Sequence, residues 1–494
     1  MLRLSTPQQA TDWLRDRVTG TLWADSRKIG SGDGFIAWPG AATDARHYVG
    51  DALNAGAQAC IVEHDGVENY GFSDSRIASF AGLRAAAAPI ASAYFQEPSK
   101  QLSLVAITGT NGKTTTAWWL AQALATHGRK CGLVGTLGIG VPESMVFNGL
   151  TTPDPVLLQQ QLRCFVDEGF VACAVEASSI GIAEQRLDAT QVQVGIFTNF
   201  TQDHLDYHDT LQAYWFAKES LFNWAGLKSA VLNIDDLKGQ ALSSRLISAG
   251  LDTWTFSVTK PARLEAKNIE LAAQPMGFDV VEAHERHRVT APTVGLYNVS
   301  NLLGVIGAMR ALGISLEDAV RACKGLTSVP GRLDTLSTNG QPLVVIDYAH
   351  TPDALDKVLA ALLPVAQGRA GKLWCIFGCG GARDATKRPL MAAIVQKYAD
   401  QIVVTSDNPR NESAVSIIEQ ILTGLVQADS VHVQADRALA ISQTIALAQP
   451  GDVVLLAGKG HESYQEIDGV QHPFSDRVQA LKALQVRVAG ETAP

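Results

Sequence analysis

The chain has 494 residues, a formal net charge of -9 at pH 7 and a pI near 5.7. Hydrophobic cores stop growing at roughly 250 to 300 residues, so a chain of this length is expected to form about two to four globular domains. Hydrophobic residues make up 46% and charged residues 18% of the sequence, which does not indicate disorder, and the acidic balance argues against a nucleic-acid-binding surface.

The N-terminal segment and the cysteines bear on the cellular compartment. Residues 1–20 mix charged and apolar side chains, so they contain neither the apolar core of a signal peptide nor a membrane-spanning segment. The seven cysteines include no CxxC pair of the kind that binds zinc or carries redox chemistry. We therefore expect a cytoplasmic protein without membrane insertion, whose cysteines are reduced.

Two regions follow one another in the first part of the chain. Residues 1–99 contain short strand-like pieces broken by Gly and Pro, then an Ala-rich stretch, and residues 97–100 are interpreted as a linker. From residue 103 onward, buried-strand runs alternate with amphipathic helical stretches, which predicts a parallel α/β sheet. The strands predicted in this region are residues 103–108, 171–176, 192–198 and 230–234.

The same alternation begins again after residues 329–331, with predicted strands at residues 343–347, 373–377, 402–406 and 453–457. The sequence thus predicts an α/β fold with three domains: residues 1–99, a central P-loop-type parallel-sheet domain at residues 100–330, and a C-terminal Rossmann-like domain at residues 331–494. In such sheets ligands bind beyond the carboxyl ends of the strands. The residues at those ends are Thr108, Glu176, Thr198, Asp347, Gly378, Ser406 and Gly458.

A phosphate-binding loop is predicted between the first central strand and the helix that follows it. Backbone N–H groups of such a loop, together with a helix N-terminus, can hold phosphates. Lys113 would reach the β and γ oxygens of a nucleoside triphosphate, and Thr114 would ligate Mg²⁺. The common eight-residue pattern has Gly at the position where this chain has Ile107, so the loop is a shorter variant of that pattern. The predicted nucleotide contacts are Gly109, Thr110, Asn111, Gly112, Lys113, Thr114 and Thr115.

Polar side chains cluster after the next two predicted strands. Glu176 ends an apolar run and would place a carboxylate where phosphoryl transfer needs a Mg²⁺ ligand. The connection at residues 198–208 packs several titratable side chains together, which packing alone does not explain. Lys218 lies on the following predicted helix, where a lysine is by default expected at the surface.

Taken together, these segments resemble the Mur ligases, and the resemblance covers nearly the whole chain. Many of the segments are weak signals individually, but their order and spacing are specific. The segments that carry the resemblance are residues 107–114, 151–153, 176–179, 203–208, 295–301, 330–333, 347–352, 378–381, 387–389 and 458–462. The resemblance implies an ATP- and Mg²⁺-dependent ligase of peptidoglycan precursor synthesis, which activates a substrate carboxylate as an acyl phosphate and joins it to an amino acid's amine.

The resemblance also implies roles for individual residues. Lys113, Lys218 and His204 are implied as catalytic, with Lys218 carried as a carbamate, and the implied metal ligands are Thr114, Glu176, His204 and Lys218. Asn298 and Arg332 are implied as further ATP contacts, with Asn301 and Asp347 nearby. The UDP-N-acetylmuramoyl-dipeptide would contact Ala24, Ser26, Arg27, Ala41, Ala42, Thr43, Thr151, Thr152, Ser178, Glu184 and Arg186.

The amino acid that is added is indicated by residues after the predicted strand at 402–406. The resemblance identifies Asp407, Asn408, Pro409 and Arg410 as a meso-diaminopimelate recognition motif. A guanidinium is the usual partner of a carboxylate, and diaminopimelate has a second carboxylate that L-lysine lacks. Further contacts implied for this amino acid are Arg383, Gly458 and Glu462. We therefore expect meso-diaminopimelate to be added to UDP-N-acetylmuramoyl-L-alanyl-D-glutamate by a monomer that acts on small molecules.

The chain departs from the family pattern at four positions, each of which affects a single predicted contact. Leu150 stands where Asn is common, Ile180 where His is common, Glu184 where Gln is common and Ala382 where Asp is common. The sequence does not identify the group that accepts the amine proton; His208, His350 and Asp347 are candidates by location.

Other functions remain open at this point. An L-lysine-adding homologue, another Mur ligase or a folylpolyglutamate synthetase would share the glycine loop. A nucleotide-gated scaffold, which binds ATP and a partner without ligation, is the alternative outside the enzymes. A Rossmann-type dehydrogenase fits the α/β pattern but not the loop, which has a phosphate-binding lysine and no GxGxxG.

Overall fold

The computed structural model describes residues 1–40, 43–224, 226–270, 276–291, 293–336, 340–426 and 431–491. Two predicted substrate contacts, Ala41 and Ala42, lie outside the described residues. The described strands form three large sheets and one hairpin, and the large sheets follow one another along the chain.

The N-terminal sheet is parallel and has the strand order β1-β5-β4-β3-β2. Its strands are β1 (Leu2–Leu4), β2 (Leu22–Trp23), β3 (Gly34–Ala37), β4 (Ala59–Glu63) and β5 (Ile77–Phe80). Its helices are α1 (Pro7–Arg15), α2 (Val49–Asn54) and α3 (Leu83–Tyr94). Apolar side chains of α1 and α3 pack on one face, and those of α2 pack on the other, so the sheet is buried on both faces. Single 3-10 turns lie at Ser26–Lys28, Ala45–Tyr48, Val67–Tyr70 and Pro98–Gln101.

The central sheet has the order β16-β15-β14-β13-β12-β11-β6-β10-β7-β8-β9. Its strands are β6 (Ser103–Thr108), β7 (Cys131–Gly135), β8 (Gly138–Val141), β9 (Ser144–Val146), β10 (Ala172–Glu176), β11 (Val194–Phe197), β12 (Ser229–Asn233), β13 (Asp252–Ser257), β14 (Leu264–Glu270), β15 (Met276–Glu282) and β16 (Glu285–Ala291). The strands from β14 to β7 are parallel, as predicted, whereas antiparallel hairpins extend the sheet at both edges.

Helices cover both faces of the central sheet. The helices are α4 (Lys113–Thr126), α5 (Pro155–Asp167), α6 (Ser179–Ala183), α7 (Leu205–His208), α8 (Leu211–Glu219), α9 (Leu237–Ser248), α10 (Leu296–Ala311) and α11 (Leu316–Cys323), followed after α8 by a 3-10 turn at Ser220–Asn223. One apolar core lies under α4, α10 and α11, and the other lies under α5, α8 and α9. The middle strands are therefore buried on both faces, which explains their continuous apolar runs in the sequence.

The C-terminal sheet has the order β17-β18-β22-β19-β20-β21, and only the β17-β18 pair is antiparallel among its described pairs. Its strands are β17 (Asp334–Leu336), β18 (Leu343–Asp347), β19 (Leu373–Phe377), β20 (Gln401–Val404), β21 (Val431–Val433) and β22 (Val453–Ala457). The hairpin strands are β23 (Tyr464–Ile467) and β24 (Val470–Pro473). Its helices are α12 (Pro352–Gly368), α13 (Lys387–Tyr398), α14 (Ala414–Leu422), α15 (Arg437–Leu447) and α16 (Asp476–Glu491).

The predicted fold class is confirmed: the protein is α/β, with a central parallel sheet and a C-terminal Rossmann-like sheet. The three large sheets lie within the three predicted domain ranges, although the boundaries themselves stay a prediction. No helix in the described part of the chain is long and apolar enough to cross a membrane.

Candidate active site

Three adjacent strands of the central sheet end around one loop. Strand β6 lies between β10 and β11, and all three run parallel, so their carboxyl ends lie side by side. The predicted phosphate loop follows β6, Glu176 is the last residue of β10, and Thr198 follows β11. The sheet therefore brings together side chains that are far apart in the sequence.

Two glycines of the loop are required by close contacts. Gly109 has φ +146°, and a Cβ there would lie 1.9 Å from the Thr198 hydroxyl oxygen. Gly112 has φ +85°, and a Cβ there would lie 2.5 Å from the side-chain oxygen of Asn301. Both backbone conformations favour glycine, and both positions lack space for a side chain. Helix α4 begins at the next residue, Lys113, so the free N–H groups of its first turn adjoin the loop.

Lys113 is folded back onto the loop. Its ammonium nitrogen donates to the carbonyl oxygens of Gly109 and Thr110, each at 2.9 Å. Burial lowers the pKa of Lys113, and the nearby carboxylate of Glu176 acts in the opposite direction. The half-buried ammonium of Lys113 thus lies where nucleotide phosphates are predicted to bind.

Glu176 is the centre of a buried cluster of oxygen atoms. The Thr114 hydroxyl donates to its Oε2 at 2.9 Å, the Thr136 amide donates to its Oε1 at 2.8 Å, and the Thr136 hydroxyl donates to its Oε2 at 3.1 Å. Carboxylate and hydroxyl oxygens are the ligands that suit Mg²⁺. Among the described residues, no group of three or more His, Cys, Asp or Glu side chains could hold a metal ion. A metal bound here would draw further ligands from hydroxyls, phosphate oxygens, the nearby His204 or a modified lysine.

Lys218 is buried, not exposed as expected of a helical lysine. The residue is 1% exposed, and its side-chain nitrogen donates to the Gly109 carbonyl oxygen at 2.7 Å and lies 4.4 Å from the Tyr214 ring centre. Burial, reinforced by the Lys113 charge, holds the pKa of Lys218 well below its ordinary value. Helix α8 is thus packed so that this side chain points under the phosphate loop, a position that helical periodicity alone does not reveal.

His204 lies at the start of α7 in a left-handed backbone conformation, with φ +52°. Its Nε2 is 3.6 Å from a carboxylate oxygen of Asp203. Burial lowers the pKa of His204, the charges of Lys113 and Lys218 act in the same direction, and Asp203 opposes them. A neutral imidazole is the form that ligates metals. Of the predicted metal ligands, Thr114 and Glu176 are in direct contact, while Lys218 and His204 lie around the same loop.

A cavity of about 570 Å³ adjoins the loop and is lined by both the central and the C-terminal regions. Among the predicted nucleotide contacts, Asn111, Gly112, Thr115, Asn298 and Arg332 line it, as do Asn301 and Asp347. Two aromatic residues also line it: Tyr348, which belongs to the recognised segment 347–352, and Trp119, which the sequence did not indicate. Its volume and its position beside a phosphate loop suit the nucleoside part of a nucleotide.

Polar contacts connect the two sides of this cavity. The Asn111 amide donates to Asp353 at 2.9 Å, and the Arg332 guanidinium contacts the Thr114 hydroxyl at 3.4 Å while lying 4.4 Å from the Tyr348 ring centre. The C-terminal region therefore contributes directly to the surroundings of the phosphate loop.

The residues predicted to contact the dipeptide form a network next to Glu176. The Thr152 hydroxyl donates to the Glu176 carbonyl oxygen at 2.7 Å and lies 2.9 Å from the Ser178 hydroxyl. The Arg186 guanidinium donates to the Thr152 carbonyl oxygen at 2.9 Å. The Thr151 hydroxyl lies 3.0 Å from that of Thr136. These side chains therefore adjoin the oxygen cluster at Glu176.

Glu184, predicted in the same group, has other partners. Its carboxylate accepts a hydrogen bond from the Tyr207 hydroxyl at 2.5 Å and pairs with Arg84 of the N-terminal region at 2.5 Å. The acidic residue that replaces the family's glutamine thus forms an ion pair between two regions of the chain.

The described N-terminal candidates follow the neighbouring strands β2 and β3. Arg27 donates to both carboxylate oxygens of Asp25 at 2.8 Å, and its side chain is 87% exposed. Ala24 packs against the N-terminal core, and Ser26 begins the 3-10 turn. The Thr43 carbonyl oxygen accepts a hydrogen bond from the Gly40 amide at 2.9 Å.

The predicted amino-acid contacts follow three neighbouring strands of the C-terminal sheet. Strand β19 lies between β22 and β20, and the loops after these strands carry Arg383, Glu462 and Arg410 respectively. Arg410 has φ +51°, and its guanidinium donates to Glu466 at 3.1 Å and to the Gly381 carbonyl oxygen at 2.8 Å. A cation is thus held at the carboxyl edge of the sheet, where α/β sheets bind ligands.

The remaining members of this group are close by. Asn408 donates to Glu462 at 2.8 Å, and a Cβ at Gly458 would lie 2.5 Å from a carboxylate oxygen of Asp407. Asn408 precedes Pro409, so the segment from 407 to 410 turns next to the loop after β22. Arg383 instead pairs with Asp206 of the central region at 3.3 Å.

A second cavity, of about 450 Å³, lies between the dipeptide candidates and the amino-acid candidates. Thr136 and Thr151 line it from the central region, and Tyr348, His461 and Glu462 line it from the C-terminal region. One space is therefore shared by the groups predicted to hold the two molecules that would be joined.

Comparisons with known proteins agree with this arrangement. A family model described as the Mur ligase middle domain matches residues 107–309, and one described as Mur ligase, glutamate ligase domain, matches residues 331–460. A protein of Acidovorax sp. (strain JS42) named UDP-N-acetylmuramoyl-L-alanyl-D-glutamate--2,6-diaminopimelate ligase is 55% identical over 488 residues, which cover 97% of each chain.

Solved structures have the same overall fold. A structure of a UDP-N-acetylmuramoyl-L-alanyl-D-glutamate--2,6-diaminopimelate ligase is 32% identical, with a TM-score of 0.65 over 95% of each chain. The MurF ligase from Thermotoga maritima, solved in complex with ADP, is 19% identical, with a TM-score of 0.68 over 97% of this chain and 100% of that one. At that identity, the second likeness concerns the fold alone.

Proposed function

The chain belongs to the Mur ligase family, and on that premise we propose that it adds meso-diaminopimelate to UDP-N-acetylmuramoyl-L-alanyl-D-glutamate, with conversion of ATP to ADP and phosphate. It is an ATP-dependent ligase of peptidoglycan precursor synthesis whose substrates are small molecules. It acts in the cytoplasm as a monomer. The observation that carries the proposal is the shared cavity of about 450 Å³, lined by Thr151 on one side and by Glu462 on the other.

The phosphate loop binds ATP in this proposal. The loop amides and Lys113 hold the β and γ phosphates, and the nucleoside lies in the larger cavity beside Asn298 and Arg332. Mg²⁺ would be held by Thr114 and Glu176, with His204 and a carbamylated Lys218, and would neutralise charge on the transferred phosphoryl group. Lys113 adds a positive charge at the same place.

The reaction proceeds in two balanced steps. A carboxylate oxygen of the dipeptide attacks the γ phosphorus, and a new O–P bond forms. The bond between the γ phosphorus and the oxygen that bridges it to the β phosphate breaks, and ADP leaves with the electrons of that bond. The amine of the amino acid then attacks the acyl carbonyl, the C–N bond forms, and phosphate leaves. The amine loses a proton to a base or to solvent. The protein holds the reactants in line next to each other and keeps water away from the acyl phosphate, which water would hydrolyse.

The amino-acid loops provide selectivity in this proposal. Arg410 binds the second carboxylate of diaminopimelate as a guanidinium fork, and Glu462 binds the ammonium at the same end of the molecule. Asn408 lies between them and donates to Glu462 at 2.8 Å. L-lysine lacks that carboxylate, so it would forgo the charge-assisted hydrogen bonds that Arg410 offers to the ligand.

An isotope experiment tests the acyl phosphate step. The dipeptide substrate is labelled with heavy oxygen at its reacting carboxylate and is incubated with ATP, Mg²⁺ and meso-diaminopimelate. We expect one labelled oxygen in the released phosphate and a product heavier by one diaminopimelyl residue. Unlabelled phosphate accompanied by product would contradict the acyl phosphate. Binding of ATP without any product would favour the scaffold.

A further inference from the structure

Lys459 is a fully buried lysine among the residues proposed to bind the amino acid. It follows Gly458 at the end of β22, and its side chain is 0% exposed. A buried ammonium is costly unless it is paired and hydrogen-bonded, so the partners of this charge indicate its role.

The ammonium nitrogen of Lys459 contacts two side chains that the proposed function already uses. It donates to Oδ1 of Asn408 at 2.9 Å and to Oε2 of Glu462 at 2.9 Å. The Asn408 oxygen also accepts from the Glu466 amide at 3.0 Å, so this end of the amide faces two donors. The NH₂ group of Asn408 is consequently turned toward Glu462, to which it donates at 2.8 Å.

Glu462 is oriented by the same contacts. Both donors, from Asn408 and Lys459, bind its Oε2, which leaves Oε1 as the oxygen that a ligand's ammonium can reach. Turning the carboxylate out of this orientation breaks both hydrogen bonds, so the two donors together hold the plane of the carboxylate. Lys459 therefore sets the direction of the Glu462 carboxylate, and it determines which end of the Asn408 amide faces Glu462.

We propose that Lys459 is a positioning and specificity-determining residue of the amino-acid site. It orients Asn408 and Glu462 and balances the negative charges of Asp407 and Glu462, so that a zwitterionic diamino dicarboxylate is preferred to a net cationic diamino acid. The inference rests on the proposed function and deepens it.

The local charges supply the specificity argument. Asp407 and Glu462 are both acidic side chains beside Lys459. Burial is the largest single influence on the pKa of Asp407 and raises it, but the charges of Lys459 and Arg437 and the hydrogen bond from the Asn408 backbone amide together lower it below its ordinary value. Removing Lys459 makes the site more negative by one charge. A more negative site favours L-lysine, which carries a net positive charge, over diaminopimelate, whose two ammonium and two carboxylate groups cancel.

A purely structural role would place the contacts differently. Arg437, also buried in this region, hydrogen-bonds the backbone carbonyl oxygens of Ser406 and Ala457 and pairs with Asp476, so it ties strand ends together. The described hydrogen bonds of Lys459 go instead to functional groups of side chains, Asn408 and Glu462. Lys459 therefore acts on the groups that face the ligand.

Steady-state kinetics of Lys459→Met and Lys459→Gln test the proposal. Methionine keeps the length of the side chain without charge or donors, and glutamine keeps a donor without charge. For Lys459→Met we expect KM for meso-diaminopimelate to rise by about tenfold or more, because the lost hydrogen bonds involve a charged group, while KM for ATP stays within about twofold. The preference for diaminopimelate over L-lysine, as the ratio of kcat/KM values, should fall by about tenfold. Lys459→Gln should lie between the wild type and Lys459→Met.

Arg310→Met is a matched control, because Arg310 pairs with Glu282 at 2.7 Å near β15, at the edge of the central sheet. It should leave KM values and the preference unchanged. In a double-mutant cycle, Lys459→Met should change KM for diaminopimelate less in a Glu462→Gln background than in the wild type, since it acts through Glu462.

Two results would overturn the proposal. One is a folded Lys459→Met variant with unchanged KM and preference. The other is a loss of affinity for ATP and diaminopimelate alike in both Lys459 variants, which is the signature of general destabilisation. A wild type that turns over neither amino acid would instead overturn the proposed function, and this outcome is separate from the first two.

Discussion

The ammonium nitrogen of Lys218 lies 2.7 Å from the carbonyl oxygen of Gly109, beneath the phosphate loop. A second cation, Lys113, donates to the same carbonyl oxygen at 2.9 Å. Burial, reinforced by repulsion from the Lys113 charge, holds the pKa of Lys218 well below its ordinary value. A neutral amine is the form that reacts with CO₂, and the resulting carbamate would be an anion beside Lys113.

Replacing Lys218 by methionine tests this interpretation. We expect kcat to fall at least about a hundredfold, because a group that stabilises developing charge is lost, while the protein stays folded. The carbamate is checked separately, by exposing the wild type to carbon-13-labelled bicarbonate and observing the carbamyl carbon by NMR. A carbamyl signal that persists in Lys218→Met would assign the modification to another residue. Full activity of that variant would contradict the catalytic role.

Replacing Glu176 by glutamine tests the Mg²⁺ site. The amide keeps the shape and one acceptor oxygen, but it removes the charge that attracts the metal. We expect the Mg²⁺ concentration required for half-maximal activity to rise about tenfold or more, corresponding to about 1.4 kcal/mol or more of lost binding free energy. Asp188→Asn, in the same region and away from the loop, is the control. An unchanged Mg²⁺ requirement would remove Glu176 from the metal site.

The buried pair Arg437–Asp476 predicts a stability effect. Both side chains are 0% exposed, and their closest contact is 2.7 Å. Asp476→Asn leaves a buried guanidinium without its counter-ion, so the free energy of unfolding should fall by about 3 to 5 kcal/mol in urea titrations. The free energy of unfolding should fall less in the double variant Arg437→Met/Asp476→Leu than in Asp476→Asn, because the double variant leaves no buried charge unpaired. A greater loss in the double variant would show that packing, not charge pairing, dominates.

His461 predicts a pH effect. Burial, reinforced by Arg332 and Lys459, lowers the pKa of His461 from 6.5 to about 4. As the pH falls, the His461 imidazole therefore binds a proton near pH 6.5 in the unfolded chain but only near pH 4 in the folded chain. Stability is lost as the pH falls through this window, by up to about 3 kcal/mol from this group. His461→Gln, which cannot titrate, should gain stability relative to the wild type over the same range. A constant difference between pH 7 and pH 4 would contradict the shift.

Features with strong local signals were predictable from the sequence. The loop at residues 109–115 combines a strand, glycines, a lysine and a helix in order, and β18, β19 and β22 match their predicted bounds because each is a continuous apolar run. Strand β7 (Cys131–Gly135) was missed, because its two glycines weaken the strand signal. Thr136, which follows that strand and binds Glu176, was missed with it.

Features that depend on tertiary packing were not predictable. The burial of Lys218 depends on how α8 packs under the phosphate loop, and its position on a helix indicated only a surface lysine. Lys459 and Glu462 lie three residues apart in one recognised motif, but Asn408 comes from the loop after β20, and only the fold brings it to Lys459. The pairing of Arg383 with Asp206 likewise joins two sheets.

The most direct measurement of the central claim is phosphate release from ATP in the presence of UDP-N-acetylmuramoyl-L-alanyl-D-glutamate, with meso-diaminopimelate, L-lysine or no amino acid. The product mass is determined in each case. We predict release only with diaminopimelate, together with a product heavier by that residue, and loss of this selectivity in Arg410→Ala. Equal or greater phosphate release with L-lysine would contradict the assignment of Arg410 as the partner of the second carboxylate. Phosphate release that is the same with and without an amino acid would contradict the assignment of the protein as a ligase.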